Sequence, residues 1–535
     1  MNPSPARLAL AVLAAAALLA PGLERAGIAS PFADPVSHIR AQDETTYANS
    51  ALDLAQHGHW LTPRVMGRFL LYKPPLLVWL SAASLRAFGW SLASLRLPAL
   101  LSAIAASALV FAFNPEPLAG LAAFLLLLAN PLWHTFARLC YTDMPLAFCF
   151  TAALFCLARD PHLERRATFY CFAAAIAAGI MVKNIAGLLP FAAAVLYSLA
   201  ASPADRPRPK RLLAALVLAL AAAAPWHVYQ IAVHPSWFYA DYIQVQLLNF
   251  GVNPPAGSAQ PALLFYGQRL LATDPVLAFC ALAGLIPLAR SLRQRHSGSL
   301  LLGSWLLVVF SSLAAFHYRN LPYALMAIPP LALTGAGSIQ LLPRARAALP
   351  AFLIAALIVK AVFPAALWGL SFGASTPIPE AAPLRAYYAT GRANGLVIAD
   401  PTDEFYSATL PGLNPRYLFL DPTGTVARYD PHYVYLGITV TTDQFNHLDR
   451  ALYLQRLRSW GLDSADPLAT AILAATPVKA SSFILAHPEL DFDTPAALAP
   501  TSDPGHTSQP AAPGRIFLLS TTPRLTSRQP LPAHW

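Results

Sequence analysis

Charge is what this sequence has least of. Asp, Glu, Lys and Arg together make up 12% of its 535 residues, about half the roughly 25% of an ordinary soluble domain. Hydrophobic residues make up 56% and the mean hydropathy is +0.49. That balance excludes a soluble globular chain and describes a polytopic membrane protein. Cysteine is scarce as well. Cys140, Cys149, Cys156, Cys171 and Cys280 all fall in apolar segments, where a thiol packs as a small buried hydrophobe, so neither a disulfide framework nor a Cys-ligated metal is expected. The polar C-terminal part has no cysteine, and no internal repeat is evident. The net charge of +10 and pI of 9.4 would suit nucleic acid in a soluble protein. Here most of the basic residues fall in short loops between apolar runs, which points to membrane topology instead.

Apolar runs of spanning length cover residues 6–22, 96–113, 117–137, 141–158, 168–182, 184–201, 211–231, 275–290, 299–316, 321–341 and 348–370. The first run suits either a span or a signal peptide, with Arg7 before a short apolar core. Residues 75–88 suit a further span or a helix lying at the interface. With the chain starting inside, every second connection carries a basic cluster: Arg159, Arg165 and Arg166; Arg206, Arg208, Lys210 and Arg211; Arg290, Arg293 and Arg295; Arg344 and Arg346. The opposite short connections hold one basic residue each, Arg138, Lys183 and Arg319. Basic loops stay cytoplasmic, so this asymmetry places segment 23–95, loop 232–274 and everything after about residue 371 on the outer or periplasmic side. It also brings Lys73, Arg138, Asp143, Lys183, His227 and Arg319 to one level near that face.

The tail, residues 371–535, changes character. It is rich in Pro, Asp and Thr, with short strand-like runs GLVIAD, RYLFLD, HYVYLGITV, SSFILAH and RIFLLS separated by polar turns, the pattern of a small α/β domain. The expected organisation is a membrane domain over 1–370 and a periplasmic α/β domain over 371–535.

Charges close to hydrocarbon are paired or functional. Lys73 in LLYKPPLLVWL, Lys183 in GIMVKNIAGLL and Arg319 in HYRNLPY each suit snorkelling at a helix end. Together they also suit an outer-face cavity that neutralises a phosphate. The adjacent acids Asp43 and Glu44 suit an ordinary solvated pair near a helix N-terminus, or a general base with its partner. Asp143, before Met144 and Pro145, suits a helix start or an acid lining the same cavity. His227 beside Trp226 reads as an interfacial anchor, and Lys360, mid-run in LIVKAVF, has no evident partner.

Taken in order, QDETTYANSALDLAQHGHW through LLYKPPLLVWLSAASLRAFG, ARLCYTDMPLAF, VKNIAGLLP, PWHVY and RNLPYALMAIPPLAL resemble the lipid-linked-sugar glycosyltransferases of the C-type membrane fold, over about residues 5–345. That group includes aminoarabinose transferases acting on lipid A and protein O-mannosyltransferases. The resemblance implies a polytopic helical fold of about 11–13 transmembrane helices and inverting transfer of a sugar from a polyprenyl phosphate donor to a lipid, glycan or protein acceptor at the periplasmic face of a bacterial inner membrane. It implies Asp43 as catalytic carboxylate, Glu44 as its support and Asp143 as a second acid in the cavity. Lys73, Lys183 and Tyr323, with Arg319, would contact the donor phosphate. The chain departs from the pattern at Thr46, where relatives commonly carry Arg. It departs again at Tyr72, where they carry Glu, and at Gln246 and Asn249, where they carry a His with a nearby Arg. With that acid and His both gone, no bound metal and no other cofactor is expected. The rival from another class is a transporter of a lipid or anionic solute, whose site would lie at the midplane between repeated halves. A third reading is a non-catalytic relative that only recognises lipid.

Overall fold

The computed structural model describes residues 5–23, 43–65, 68–89, 91–114, 116–249 and 261–341, residue 355, and four short strands of the C-terminal part. In chain order the helices are α1 (Pro5–Leu19), α2 (Asp43–His57), α3 (Leu76–Phe88), α4 (Leu92–Phe113), α5 (Pro117–Leu128), α6 (Pro131–Ala137), α7 (Asp143–Arg159) and α8 (Arg166–Lys183). There follow α9 (Leu189–Ala200), α10 (Pro209–Val233), α11 (Pro235–Phe238), α12 (Ala262–Thr273), α13 (Pro275–Arg293), α14 (Ser297–Ala315) and α15 (Ile328–Ala336). The strands are β1 (Arg64–Val65), β2 (Arg68–Phe69), β3 (Gly395–Ala399), β4 (Arg416–Leu420), β5 (Phe492–Asp493) and β6 (Arg515–Leu519). The chain forms two compact units, one of residues 1–26, 60–62 and 71–371 and one of residues 27–59, 63–70 and 372–535.

The first unit is a helical bundle around α7. This helix is buried on nearly every side, as an apolar helix without a solvent face must be. Trp305 of α14 stacks on Phe150 of α7 with ring centroids 5.5 Å apart. Outward-facing positions are apolar too: Leu213, Val217 and Ile231 on α10, Phe279 and Leu282 on α13, and Leu307 on α14 are exposed. Cys171 of α8 is exposed as well, a departure from the buried position expected of it, because the bundle's apolar surface is as good a solvent for a thiol as its core. An apolar exterior over an apolar interior is the signature of a multi-pass membrane protein.

Several runs that read as single spans are built from pieces. Residues 117–137 form α5 and α6, bent by 68°. Pro131 starts α6, and the Asn130 side chain caps it, accepting from Trp133 N at 2.9 Å. The Asn130 amide nitrogen donates to the buried Asp274 carboxylate at 3.0 Å, so the break is tied to the start of α13. Residues 321–341 run as 3₁₀ turns on either side of α15, as three prolines within ten residues (Pro322, Pro329 and Pro330) require. The stretch at 75–88 is α3, whose 13 residues reach about 20 Å, less than the ~30 Å hydrocarbon thickness. Loop 232–274 contains α11, a π-helical segment (Tyr239–Asn249) and α12. The run at 348–370 and Lys360 lie outside the described residues, apart from residue 355.

Helices α8 and α9 are two arms of a hairpin. Asn184 adopts a left-handed φ of +46°, and a 3₁₀ turn over Asn184–Leu188 folds back on the last turn of α8. Gly187 presses so closely there that a Cβ would lie 2.0 Å from the Ile180 nitrogen. The far ends of the arms meet one level of the bundle, where His162 Nδ1 lies 2.9 Å from the Arg206 carbonyl and the Tyr197 hydroxyl 2.5 Å from Ser297 Oγ. Three of the four basic connections are therefore gathered at one end; the fourth, with Arg344 and Arg346, lies outside the described residues.

In the second unit α2 precedes the β1–β2 hairpin, paired Arg64 with Phe69 and Val65 with Arg68. His59 Nδ1 lies 2.9 Å from Asp53 Oδ2. The C-terminal strands form a mixed sheet of order β4-β3-β6-β5, parallel between β3 and β4 and antiparallel elsewhere. GLVIA, RYLFL and RIFLL are thus strands, while HYVYLGITV and SSFILAH lie outside the described residues.

Gly187→Ala is expected to break the hairpin by steric contact. Overpacking of this kind costs about 1–3 kcal/mol, so the detergent-solubilised variant should melt several degrees lower. Gly298→Ala, where an added Cβ meets open space, should leave the melting temperature unchanged.

Candidate functional site

At the end of the first unit opposite the basic connections, three charged groups from distant segments meet with two tyrosines. Asp143 opens α7 and Lys183 closes α8, and their side chains form an ion pair with Nζ and Oδ1 2.5 Å apart. Both are buried, Asp143 to 1% and Lys183 to 9% side-chain exposure. The ammonium of Lys183 also lies 4.2 Å from the ring centroid of Tyr323, the usual cation–π placement. Tyr323 stands in the 3₁₀ turn after Arg319 and Asn320, its ring edge-on to Phe316 and Tyr318 at 6.4 Å. The buried Tyr266 of α12 joins the turn, donating from its hydroxyl to the Asn320 carbonyl at 3.2 Å. Burial pushes that hydroxyl up to about 12; the Asn320 contact and the Arg319 charge pull it down, and the Asp143 charge pushes it further up.

This cluster is incompletely satisfied. Asp143 Oδ2, Thr142 Oγ1, Asn184 Nδ2 and the Nε and Nη1 of Arg319 are all buried without a hydrogen-bond partner among the described residues. Such groups are rare singly, and a guanidinium with two unmatched donors presents a fork that fits an oxyanion bidentately. The neighbouring Asn184 carries the backbone strain of its left-handed φ, and strain of this kind gathers at functional sites.

Lys73 has a different setting. Its Nζ donates to Gln246 Oε1 at 2.7 Å, with both side chains buried. Gln246 lies on the π-helical segment, and from the same segment the buried Asp241 accepts from Leu71 N at 3.4 Å. The segment thus grips the Lys-Pro-Pro loop through two side chains. His227 connects α10 to it, with Nδ1 at 2.9 Å from the Ala223 carbonyl and Nε2 at 2.9 Å from the Tyr242 hydroxyl, which is a more specific engagement than interfacial anchoring. Arg138 is spent on backbone carbonyls, donating to His134 O and Pro21 O at 3.0 and 2.8 Å.

Asp43 and Glu44 occupy the first turn of α2 in the second unit, Asp43 half-buried and Glu44 fully buried. A solvated loop pair would be exposed, so that alternative fails for Glu44. The structure therefore brings together Asp143, Lys183, Tyr323 and Arg319, places Lys73 against Gln246, and holds Asp43 with Glu44 on α2. Sequence reasoning missed Tyr266, Asn184 and the bonding role of Gln246. The one available signal was Gln246, already conspicuous as a departure. Among the described residues no three His, Cys, Asp or Glu side chains gather as a metal site requires.

The bundle matches solved structures of ArnT from Cupriavidus metallidurans. The form bound to undecaprenyl phosphate superposes with a TM-score of 0.59 at 18% identity, covering 80% of this chain and 88% of that one. The apo form gives 0.59 at 17% identity, with 79% and 88% covered. The fold is that of the C-type membrane glycosyltransferases. A family model described as dolichyl-phosphate-mannose-protein mannosyltransferase matches residues 72–229, from the Lys-Pro-Pro loop through most of α10. An uncharacterised protein of Aquifex aeolicus is 26% identical over 209 residues, 38% of this chain; the chain spans about two fifths (41%) of that relative's length.

Removing one member of a buried pair strands the other charge, at a cost of about 3–5 kcal/mol. Asp143→Asn and Lys183→Met should each lower the melting temperature strongly. The double variant should recover most of the loss, and a double-mutant cycle in detergent reads the coupling directly.

Proposed function

We propose that the protein is an inverting glycosyltransferase that moves one hexosyl or pentosyl unit from a polyprenyl phosphate to a lipid, glycan or protein acceptor at the periplasmic face of a bacterial inner membrane. The observation that carries this reading is the Arg319 guanidinium, unmatched among the described residues, beside the Asp143–Lys183 pair, on a fold with a solved example bound to undecaprenyl phosphate. Buried donors of this kind call for an anion. A lipid phosphate at the membrane surface is the anion that suits an apolar bundle.

In this reading Asp43 takes the proton from the acceptor hydroxyl or amine, and Glu44 supports it. The freed lone pair forms the new bond to the anomeric carbon on the face away from the phosphate. The bond from that carbon to the phosphate oxygen breaks, and the polyprenyl phosphate leaves with the electron pair. Lys73, Arg319, Tyr323 and the remaining N–H groups of Lys183 stabilise the charge that develops on the leaving oxygen. The Lys183 charge is already met by Asp143, so Arg319 and Lys73 carry most of the phosphate's neutralisation. Asp143, the second acid of the cavity, acts chiefly by positioning Lys183. No divalent metal is required in this scheme. In this reading residues 371–535 form a periplasmic domain.

Asp43→Asn keeps the shape of the base and removes its function; transfer should fall by at least about a hundredfold while co-purifying donor lipid is retained. Full activity in that variant would show that the base lies elsewhere. Mass spectrometry of lipids carried by the purified protein should find a polyprenyl phosphate in the wild type and little in Lys73→Ala, Lys183→Ala or Arg319→Ala.

Gln246 is a neutral acceptor for Lys73. Gln246→Glu would supply a counter-ion instead, and should raise the donor KM about tenfold with a smaller change in kcat, consistent with about 1.4 kcal/mol of lost anion binding.

A further inference from the structure

The far end of α7 carries a second feature. Asp143 and Arg159 are the two ends of a 17-residue helix, about 24 Å apart at 1.5 Å per residue, and around Arg159 lies a cavity of about 460 Å³. Its inner wall is hydrocarbon, from Leu157, Leu288, Leu301 and Leu302. Its mouth is polar, from Arg159, His296, Ser297 and Ser299, and none of the described residues lining it is acidic. The Arg159 guanidinium is held 5.2 Å over the Phe155 ring, and Tyr197, another wall residue, fixes Ser297 by the 2.5 Å contact between their hydroxyls. Arg290, Arg293 and Arg295 stand exposed at the same connection, so with Arg159 the basic residues outnumber the acidic Asp205 that lies near Tyr197.

We infer that this cavity is a binding site for an anionic glycerophospholipid, its phosphodiester at Arg159, His296 and the serine hydroxyls and the start of an acyl chain between the leucines. The cavity falls within the 300–1,000 Å³ of ordinary ligand sites. A basic pocket between membrane helices on the side of the basic loops is where anionic head groups bind. A cation is excluded by the charge of the lining. A fully water-soluble anion would leave the leucine wall unmatched. The inference depends on which residues gather at this end of the bundle and is independent of the transfer reaction.

The test is native mass spectrometry of the full chain in detergent, with phosphatidylglycerol and phosphatidylcholine of matched acyl chains supplied together. Their masses separate them from any polyprenyl phosphate held elsewhere. Wild type should retain about one phosphatidylglycerol in preference to phosphatidylcholine. In Arg159→Gln retention should fall about fivefold, the effect of one basic residue on an anionic lipid, and Arg159→Lys should restore it. Leu302→Trp, which fills the leucine wall, should lose the lipid with its charges intact. Melting temperatures within a few degrees of wild type show that the variants fold, and if one fails the other carries the comparison. Equal retention of both lipids, or phosphatidylglycerol retention unchanged in both Arg159→Gln and Leu302→Trp, overturns the assignment. Added glycerol 3-phosphate should leave the bound lipid in place; displacement of the lipid by it would make the site one for a soluble phosphate ester and would overturn the lipid reading.

Discussion

The buried pair of Asp143 and Lys183 is the constraint on which the bundle depends. The two charges enter from opposite ends of consecutive helices, one at the first residue of α7 and one at the last of α8. In a medium with no water to solvate either, each is tolerable only beside the other. Their meeting fixes how far α7 and α8 slide past one another. It also requires the chain to turn immediately after Lys183, which accounts for the left-handed Asn184 and for a glycine where the returning chain touches Ile180. The ring of Tyr323 then closes over the ammonium and brings the 319–323 turn, with its guanidinium, to the same place.

The two ends of α7 illustrate one physical rule applied with opposite outcomes. At the Asp143 end, charges are buried and left partly unmatched, so the site has affinity in reserve for an oxyanion. At the Arg159 end the charge is half-buried, stacked on an aromatic face and surrounded by hydroxyls. The two ends lie about 24 Å apart along the helix, so no side chain reaches from one site to the other.

Much of this was legible in the sequence because hydropathy and loop charge are properties of short windows. The alternation of basic connections placed Arg159, Arg206 and Arg293 together and Asp143, Lys183 and Arg319 together, and the described residues follow that division. Lys183 stood out as an interruption in an apolar run, and the reversal after it was implied by the parity of the spans. What escaped was whatever depends on pairing across the chain. Lys73 finds Gln246 across 173 residues and Asn130 finds Asp274 across 144, and no local pattern announces either. The bend between α5 and α6 escaped because the run stays apolar through Asn130 and Pro131, so length suggested one rod where capping made two. The π-helical segment was hidden for the same reason, since a local periodicity reading has no template for it.

The hairpin of α8 and α9 also bears on how such a chain is made. The arms are 18 and 12 residues long, the second too short to span alone, so they must enter the bilayer together with Lys183 at the tip. Taking a lone lysine to the centre of a bilayer costs about 2.5–3.5 kcal/mol on insertion scales. Its partner is synthesised 40 residues earlier, on the helix that precedes the hairpin. The order of synthesis therefore has the acid in place before the base arrives, and the pair can settle into the membrane as a nearly neutral unit.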